Sequence, residues 1–147
     1  LMKLTNFTDY SLRVLIYLAA EPGRRATIAE IAEIYGISEN HLVKVVHFLG
    51  RQGWLETARG RGGGVALARP ARDISIGEVV RDTEGEAMPA ECFSAGGGDC
   101  LLHGSCRLKA VLGEAVKAFY AALDRYTLAD ITANRRALAG ILQIHAR

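Results

Sequence analysis

The three cysteines of this chain, Cys92, Cys100 and Cys106, all lie within one short stretch, "ECFSAGGGDCLLHGSC". An odd number of thiols cannot all pair within one chain. The opening "LMKLTNFTDY" lacks the basic, apolar, small-residue order of a signal peptide, so we expect a cytoplasmic protein. Because a reducing cytosol disfavours disulfides, the stretch predicts a metal site or reactive thiols.

The spacing of the cysteines, C-x7-C-x5-C, is neither a CxxC pair nor a zinc-knuckle arrangement. Thiolates this far apart on a glycine-rich loop could surround a group larger than a single ion, and an iron-sulfur cluster has the right size and ligand preference. Such a cluster normally has four protein ligands, whereas the loop offers three cysteines. Redox thiols and structural zinc remain alternatives, and His103 and Glu91 are further candidate ligands within the loop.

Charge is distributed unevenly along the chain, although the formal net charge is only +2. Residues 78–99 are predominantly acidic. Residues 44–72 are predominantly basic, with Lys44, Arg51, Arg59, Arg61, Arg69 and Arg72 against Glu56. A basic stretch predicts an anionic partner such as nucleic acid, and the acidic stretch is expected to lie away from it.

The first half of the chain has the pattern of a DNA-binding domain. Residues 8–20 have helical spacing and begin at a candidate N-cap, Thr8. A second, short helix then leads to a turn at Gly36, and a third helix begins after Ser38. Two short helices around a glycine turn are typical of a helix-turn-helix.

The next stretch, "WLETARGRGGGVALARP", alternates apolar and polar residues on both sides of a glycine-rich turn, which predicts a two-stranded hairpin. The predicted fold class is therefore mainly α with a small β-hairpin wing, that is, a winged helix-turn-helix. Arg59 and Arg61 lie at the tip of the wing, and narrow minor grooves attract such arginines. We predict that both contact DNA, although two solvated charges on a flexible hairpin would have the same pattern.

The second helix of a helix-turn-helix enters the major groove and presents side chains near its N-terminus to base edges. Here those side chains are Ser38, Glu39, Asn40 and His41. Asn can pair with adenine, Ser with several bases, and Glu can accept from cytosine. Lys44 lies one turn further on and suits a phosphate. Simpler roles compete: Ser38 as a helix cap, and His41 as a solvated surface residue.

The chain from Arg107 onward predicts a long helix. Its apolar residues follow a heptad seam with spacings of 4, 3, 4, 3 and 4: Leu108, Leu112, Ala115, Phe119, Ala122 and Tyr126. A stripe packed on the chain's own core would have the same spacing. In a two-fold symmetric dimer, each of the two identical DNA-binding domains can bind one half-site. We therefore predict a homodimer on a two-fold symmetric double-stranded operator.

The predicted organisation has three segments. Residues 1–75 form the winged helix-turn-helix, and residues 107–147 form the dimerisation helix and C-terminal segment. Between them, residues 76–106 contain a connecting helix that opens with a capping box, Ser75 with Glu78, and the cysteine loop. Thr127 is a candidate cap for one closing helical segment, "LADITANRRALAGILQ".

Nearly the whole chain resembles the winged-helix iron-sulfur regulator family, the family of NsrR and IscR. The resemblance is carried by "KLTNFTDYSLRVLIYLA", "YGISENHLVKVVHFLGRQGW", "ARGRGGGVALARP", "SIGEVVRDTE", the three cysteines and "YTLADI". The chain looks closer to the nitric-oxide-sensing NsrR type, because "FTDY" carries Asp9 and Lys109 stands where the IscR type has histidine.

The resemblance implies a dimeric, nitric-oxide-responsive repressor. It also implies a [4Fe-4S] cluster, with [2Fe-2S] as the alternative, held by Cys92, Cys100 and Cys106 together with Asp9 from the partner subunit. An intact cluster would link the cysteine loop to the first helix and determine the distance between the two DNA-binding domains of the dimer. Reaction with nitric oxide would loosen those ties and release DNA.

Other functions are weaker predictions. An iron- or redox-responsive regulator on the same scaffold would have the same sequence features. A thiol redox enzyme would need a base beside its nucleophile, and no recognisable motif supplies one, so we expect no enzyme activity. No uninterrupted apolar run approaches the roughly 18 residues of a membrane span, so we expect no membrane association.

Overall fold

The computed structural model describes residues 3–85, 101–102 and 105–144. In the described part of the chain, two antiparallel strands, β1 (Leu55–Ala58) and β2 (Gly64–Leu67), lie between the third and fourth helices. The predicted class, mainly α with a small hairpin, is confirmed. The helices are α1 (Asn6–Ala20), α2 (Ile28–Tyr35), α3 (Glu39–Arg51), α4 (Ile76–Glu84), α5 (Arg107–Asp124), α6 (Leu128–Ile131) and α7 (Arg135–Ile141), with a short 3-10 helix at Ala71–Asp73.

Helix α1 begins earlier than predicted, because its N-cap is Thr5 rather than Thr8. The Thr5 Oγ1 atom accepts a hydrogen bond from the Thr8 backbone N–H at 3.2 Å. Thr8 lies inside the first turn, is fully buried, and donates its hydroxyl to Glu84 Oε2 at 2.7 Å. The prediction of Thr8 as the cap was wrong, since a distant side chain satisfies this polar residue within the helix.

Helices α2 and α3 form the predicted helix-turn-helix. A capping box begins α2: Glu30 N–H donates to Thr27 Oγ1 at 3.1 Å, and Thr27 N–H donates to Glu30 Oε1 at 2.8 Å. Gly36 ends α2 with a φ of 63°, in the left-handed region that favours glycine. The turn therefore lies where the sequence predicted it, and α3 starts directly after Ser38.

The wing is anchored at its base to the loop between α1 and α2. Ala26 and Val65 exchange two backbone hydrogen bonds, of 2.9 and 2.7 Å, so that Ala26 acts as a third partner to the hairpin. Gly64, with a φ of 128°, permits this approach, because a Cβ there would lie 2.6 Å from the Ala26 carbonyl oxygen.

The C-terminal part of the chain packs back on the N-terminal part. The Ile76 N–H donates to the Tyr126 carbonyl at 3.0 Å, and the Leu128 N–H donates to the Ile74 carbonyl at 2.8 Å. Thr127 caps α6 as predicted. The prediction of a single closing helix was wrong, because this segment forms two helices, α6 and α7. At the end of α6 the buried Thr132 hydroxyl donates to the Leu128 carbonyl, and α7 begins at Arg135.

The hydrophobic core is built from one face of each of the first four helices, from the wing base and from the C-terminal residues Leu128, Leu142 and Ile144. Its largest fully buried side chains are Tyr17, Leu15, Ile31, Leu42, Leu49, Ile74 and Leu128. Helix α5 adds only partly buried side chains to it, from Phe119, Tyr120 and Leu123. Among the described residues, no helix combines the length and hydropathy that crossing a bilayer would require.

Candidate nucleic-acid interface and cysteine site

Helix α3 presents its N-terminal side chains to solvent. Its opposite face is fixed in the core by Leu42, Val45, Val46 and Leu49. Five of the seven residues predicted for DNA contact lie at this end of α3, and all five are exposed: Ser38, Glu39, Asn40, His41 and Lys44. Because the core contacts fix the rotation of the helix, these side chains share one accessible surface at the start of α3.

Ser38 and His41 each had a simpler alternative role. Ser38 occupies the N-cap position, but its hydroxyl makes no capping hydrogen bond, so it is available for another partner. The ring of His41 lies 6.4 Å from the ring of Tyr10 on α1, with an interplanar angle of 30°. His41 is therefore exposed to solvent, but its ring also contacts α1 through Tyr10.

The same surface contains an apolar residue that the sequence analysis missed. Val43 is 46% exposed in the middle of α3, between Leu42, which is buried, and Lys44. An apolar side chain on a groove-facing surface can contact a thymine methyl group. The signal in the sequence was a β-branched apolar residue outside the buried stripe of an amphipathic helix.

The wing places its two arginines at the tip. Arg59 and Arg61 lie in the turn between β1 and β2, and both are exposed. At the base of the wing, Trp54 is 4% exposed and donates from Nε1 to Asp82 Oδ2 at 2.9 Å. A rigid base with a charged, accessible tip suits insertion of the arginines into a minor groove.

The predicted cysteine site is described only in part. Cys92 and Cys100 lie outside the described residues, as do His103 and Glu91. Cys106 is a free, partly exposed cysteine at the N-cap of α5. Within the described ranges, no three His, Cys, Asp or Glu side chains come together in a way that could hold a metal ion.

Asp9 lies in the first turn of α1 and forms an ion pair with Arg13. The Arg13 Nε atom donates to Asp9 Oδ1 at 3.2 Å, and Nη2 donates to Oδ2 at 3.0 Å. Both side chains are more than two-fifths exposed. The Arg13 guanidinium also lies 6.0 Å from the ring of Tyr10 and 5.8 Å from that of Tyr35, so Asp9 is connected to the ring that supports His41.

A hydrogen-bond cluster that the sequence analysis missed joins the start of α1 to the end of α4. Glu84 Oε2 accepts from Thr5 Oγ1 at 2.6 Å and from Thr8 Oγ1 at 2.7 Å, and the Thr5 N–H donates to Oε1 at 3.2 Å. The cysteine stretch begins a few residues after Glu84. We refer to Thr5, Thr8 and Glu84 as the α1–α4 clamp.

The helix-turn-helix is held on α1 by polar contacts whose electrostatics are unusual. Burial raises the pKa of Tyr35 to about 12, and its hydroxyl donates to the Arg13 carbonyl at 2.9 Å. Burial alone would raise the pKa of Glu30. Hydrogen bonds from Arg24, the Thr27 N–H and Tyr17 outweigh that effect and hold the pKa below its ordinary value. At neutral pH the Tyr35 hydroxyl is protonated and Glu30 is ionised, which are the states that their hydrogen bonds between α1 and α2 require.

Comparison with known proteins identifies relatives over nearly the full length. Residues 4–134 match the Rrf2 family, described as iron-dependent transcriptional regulators. The chain is 53% identical over 144 residues to the HTH-type transcriptional regulator NsrR of Bacillus subtilis, covering 97% of this chain and 99% of that protein. It is 47% identical over 143 residues to NsrR of Geobacillus kaustophilus, covering 97% of each.

Solved structures give the same result for the fold. CymR, the global cysteine regulator of B. subtilis, superimposes with a TM-score of 0.74 at 26% identity, covering 91% of this chain and 98% of that one. IscR of T. potens superimposes with a TM-score of 0.73 at 28% identity, covering 90% and 88% respectively. The resemblance predicted from the sequence is confirmed.

Proposed function

Because the chain belongs to the Rrf2 family of transcriptional regulators, we propose that it is a DNA-binding repressor whose operator affinity is controlled by an iron-sulfur cluster that reacts with nitric oxide. The relatives are regulators and not enzymes, and this chain is likewise a transcriptional regulator. One observation carries the DNA-binding part: the N-terminal side chains of α3 are exposed together while the rest of that helix is locked in the core.

In this proposal the side chains at the start of α3 contact base edges. Lys44 and the wing position the protein on the DNA. Ser38, Asn40 and Glu39 have side chains that pair with base edges. Lys44, Arg59 and Arg61 meet phosphates or the minor groove. Their combined positive charge supports binding that weakens steeply as salt rises, since phosphate contacts release counterions.

The cluster ligands in this proposal are Cys92, Cys100 and Cys106, with the partner subunit's Asp9 as the fourth. The donor chemistry of the described residues fits: a free, partly exposed thiol at Cys106 and an accessible carboxylate at Asp9. A negatively charged iron-thiolate group at the start of α5 would also be favoured by the helix dipole. When bound, a [4Fe-4S] cluster supplies iron that reacts with nitric oxide.

The dimer in this proposal is formed along α5. None of the described residues of this helix is buried within one chain, and its first half exposes Leu108 and Val111 to 58% and 59%. A surface helix of 18 residues without a buried side chain has an apolar side that a second copy can cover. Such a dimer brings two α3 helices to two half-sites of one operator.

Asp9 connects cluster binding to DNA binding in this proposal. While it is paired with Arg13, it belongs to the group of side chains that reaches His41 through Tyr10. A carboxylate engaged by the partner's cysteine site would leave Arg13 free to move against Tyr10. The position of α3 on α1 would then depend on whether the cysteine site is intact.

The proposal is tested by purifying the protein without oxygen and measuring iron, sulfide, the visible absorption spectrum and affinity for a DNA fragment selected by the protein from a random library. We expect a broad visible band that bleaches with nitric oxide, accompanied by release of DNA. Cys106→Ser should remove the band, and Ser105→Ala, at the adjacent exposed position, should keep it. A colourless zinc protein, or DNA affinity that ignores nitric oxide, would contradict the proposal.

The second candidate is a regulator that responds to iron supply. The description of the family as iron-dependent favours it. It predicts that removal of iron by a chelator, without nitric oxide, changes DNA affinity as much as nitric oxide does. Measuring both treatments on the same preparation distinguishes the two signals.

A further inference from the structure

A cavity of about 720 Å³ opens at the base of the wing, away from the tip that carries Arg59 and Arg61. It lies between the end of β2, the loop that joins α1 to α2, and the start of α7. Its volume falls within the roughly 300–1,000 Å³ that is usual for small-molecule sites. Its apolar lining includes Leu18, Pro22, Leu67, Pro70, Ala71 and Ala129.

The charged residues that line this cavity are almost all arginines. They are Arg24, Arg25, Arg69, Arg72 and Arg135, and among the described residues Glu56 is the single carboxylate of the lining. These arginines come from three distant parts of the chain, so their convergence is a product of the fold. We refer to this site as the arginine cavity.

Within the described part of the chain, two of the arginines have carboxylate partners and three do not. Arg24 Nη2 lies 2.9 Å from Glu30 Oε2, and Arg25 Nη2 lies 2.9 Å from Glu56 Oε1. Within the described ranges, no ion pair is formed by the other members, Arg69, Arg72 and Arg135. The cavity therefore has an excess of positive charge that the described part of the chain leaves uncompensated.

Arg25 adds an observation at the level of one atom. Its Nη1 is buried and has no hydrogen-bond partner among the described residues. A buried donor of a charged group without a partner is costly to a fold. In native structures such a donor calls for an explanation, which is strain, a functional role, or an ordered water or ion.

We propose that the arginine cavity binds a small oxyanion ligand: a phosphate or carboxylate head group carried on an apolar body. Guanidinium groups match both head groups, because their N–H donors can bond two oxygens of one anion side by side. The apolar floor accommodates the rest of the molecule. Among the described residues, the lining of this cavity contains no cysteine.

A DNA phosphate presents the same head-group chemistry, so the test must distinguish the two sources. Binding to the protein in the absence of DNA identifies a small ligand. An effect of the cavity arginines on the salt dependence of DNA binding, without any small-molecule binding, identifies DNA phosphate and overturns the proposal.

The chain provides its own optical reporter for this test. Trp54 is the single tryptophan, and the Arg69 guanidinium lies 4.6 Å from the centre of its ring. An anion that draws Arg69 away from the indole should change the fluorescence of Trp54. Because Trp54 is 4% exposed, quenching by solutes in bulk solvent contributes little to the signal.

The experiment titrates phenyl phosphate into the full-length protein and follows calorimetric heat and Trp54 fluorescence, with chloride at matched ionic strength as the control. We expect saturable binding that chloride does not reproduce. Arg72→Ala and Arg135→Ala should each weaken it at least about tenfold, since each removes charge-assisted hydrogen bonds. Arg136→Ala, the matched control on α7 outside the lining, should change the affinity by less than about twofold.

Three results would contradict the proposal of a ligand site in the arginine cavity. The first is the absence of saturable heat with phenyl phosphate in the unsubstituted protein. The second is an equal loss of affinity in the Arg135 and Arg136 variants, which would indicate a general charge effect. The third is heat that chloride reproduces at the same ionic strength.

Discussion

Asp9 has a local partner that it can give up at little cost. Its pair with Arg13 joins residues four apart on one helix, and the two side chains are 45% and 42% exposed. Exposed pairs of this kind contribute only about 0.2–0.5 kcal/mol. Asp9 can therefore exchange Arg13 for a stronger partner such as an iron ion without loss of the fold.

Base readout by α3 predicts a specific pattern for Asn40→Ala. Loss of the amide should lower affinity for the selected operator by about 1–3 kcal/mol and leave binding to random DNA nearly unchanged, because a bidentate base contact carries sequence information. Lys44→Ala is the control, since a phosphate contact should weaken both DNAs alike. Competition binding at fixed salt measures both, and equal losses for Asn40→Ala would reduce Asn40 to a positioning role.

At the scale of elements, the α1–α4 clamp holds the start of α1 against the end of α4. Glu84→Ala removes the acceptor of the fully buried Thr8 hydroxyl, so we expect a loss of about 1–3 kcal/mol in the free energy of unfolding. Glu78→Ala, on the exposed face of the same helix, should cost less than about 1 kcal/mol.

Urea unfolding of the two cluster-free variants measures this difference. Amide hydrogen exchange at the start of α1 provides a second readout, which should accelerate in Glu84→Ala alone. If both variants have the same stability and the same exchange, the clamp does not hold α1.

The wing predicts a purely electrostatic effect for Arg59→Ala. Affinity for DNA should fall several-fold at fixed salt, and the slope of log affinity against log salt should decrease by about one, as expected for one lost phosphate or groove contact. Arg136→Ala removes the same charge on α7, outside the proposed interface, and should leave the slope unchanged. A slope that is unaltered in both variants would exclude the wing tip from the interface.

The sequence predicted elements well where local signals determined them. The amphipathic pattern of α3, the left-handed turn at Gly36 and the glycine-rich hairpin were each sufficient. Thr8 was misassigned because Glu84, 76 residues away, satisfies its hydroxyl. The arginine cavity had no local signal, because its members converge only after the wing and α7 pack.

At the scale of the whole molecule, the residues of the predicted heptad seam differ in burial along α5. Phe119 packs against the core of its own chain, whereas Leu108 is 58% exposed. Spacing alone could not distinguish a core stripe from a dimer seam, since both follow the same helical period. The division within α5 leaves its first half, which directly follows Cys106, as the part that a second copy can cover.

A fourth cluster ligand from the partner subunit predicts complementation between two defective chains. Asp9→Ala alone should alter the cluster spectrum and its reaction with nitric oxide, and Cys106→Ser alone should abolish normal cluster. A mixed dimer would contain one intact site, made of Asp9 from the Cys106→Ser chain and three cysteines from the Asp9→Ala chain. Affinity tags of two kinds allow the mixed dimer to be isolated without oxygen.

We expect this mixed dimer to hold about half the normal cluster per dimer, because one of its two sites has all four ligands. If Asp9 acted within its own chain, each chain would lack one ligand and the mixed dimer would resemble its parents. A role limited to the pair with Arg13 predicts a different result for Asp9→Ala: an unchanged spectrum and a stability loss of about 0.2–0.5 kcal/mol. Iron and sulfide content, visible spectra and urea unfolding of the three dimers therefore distinguish ligation across the interface, ligation within one chain, and a surface ion pair.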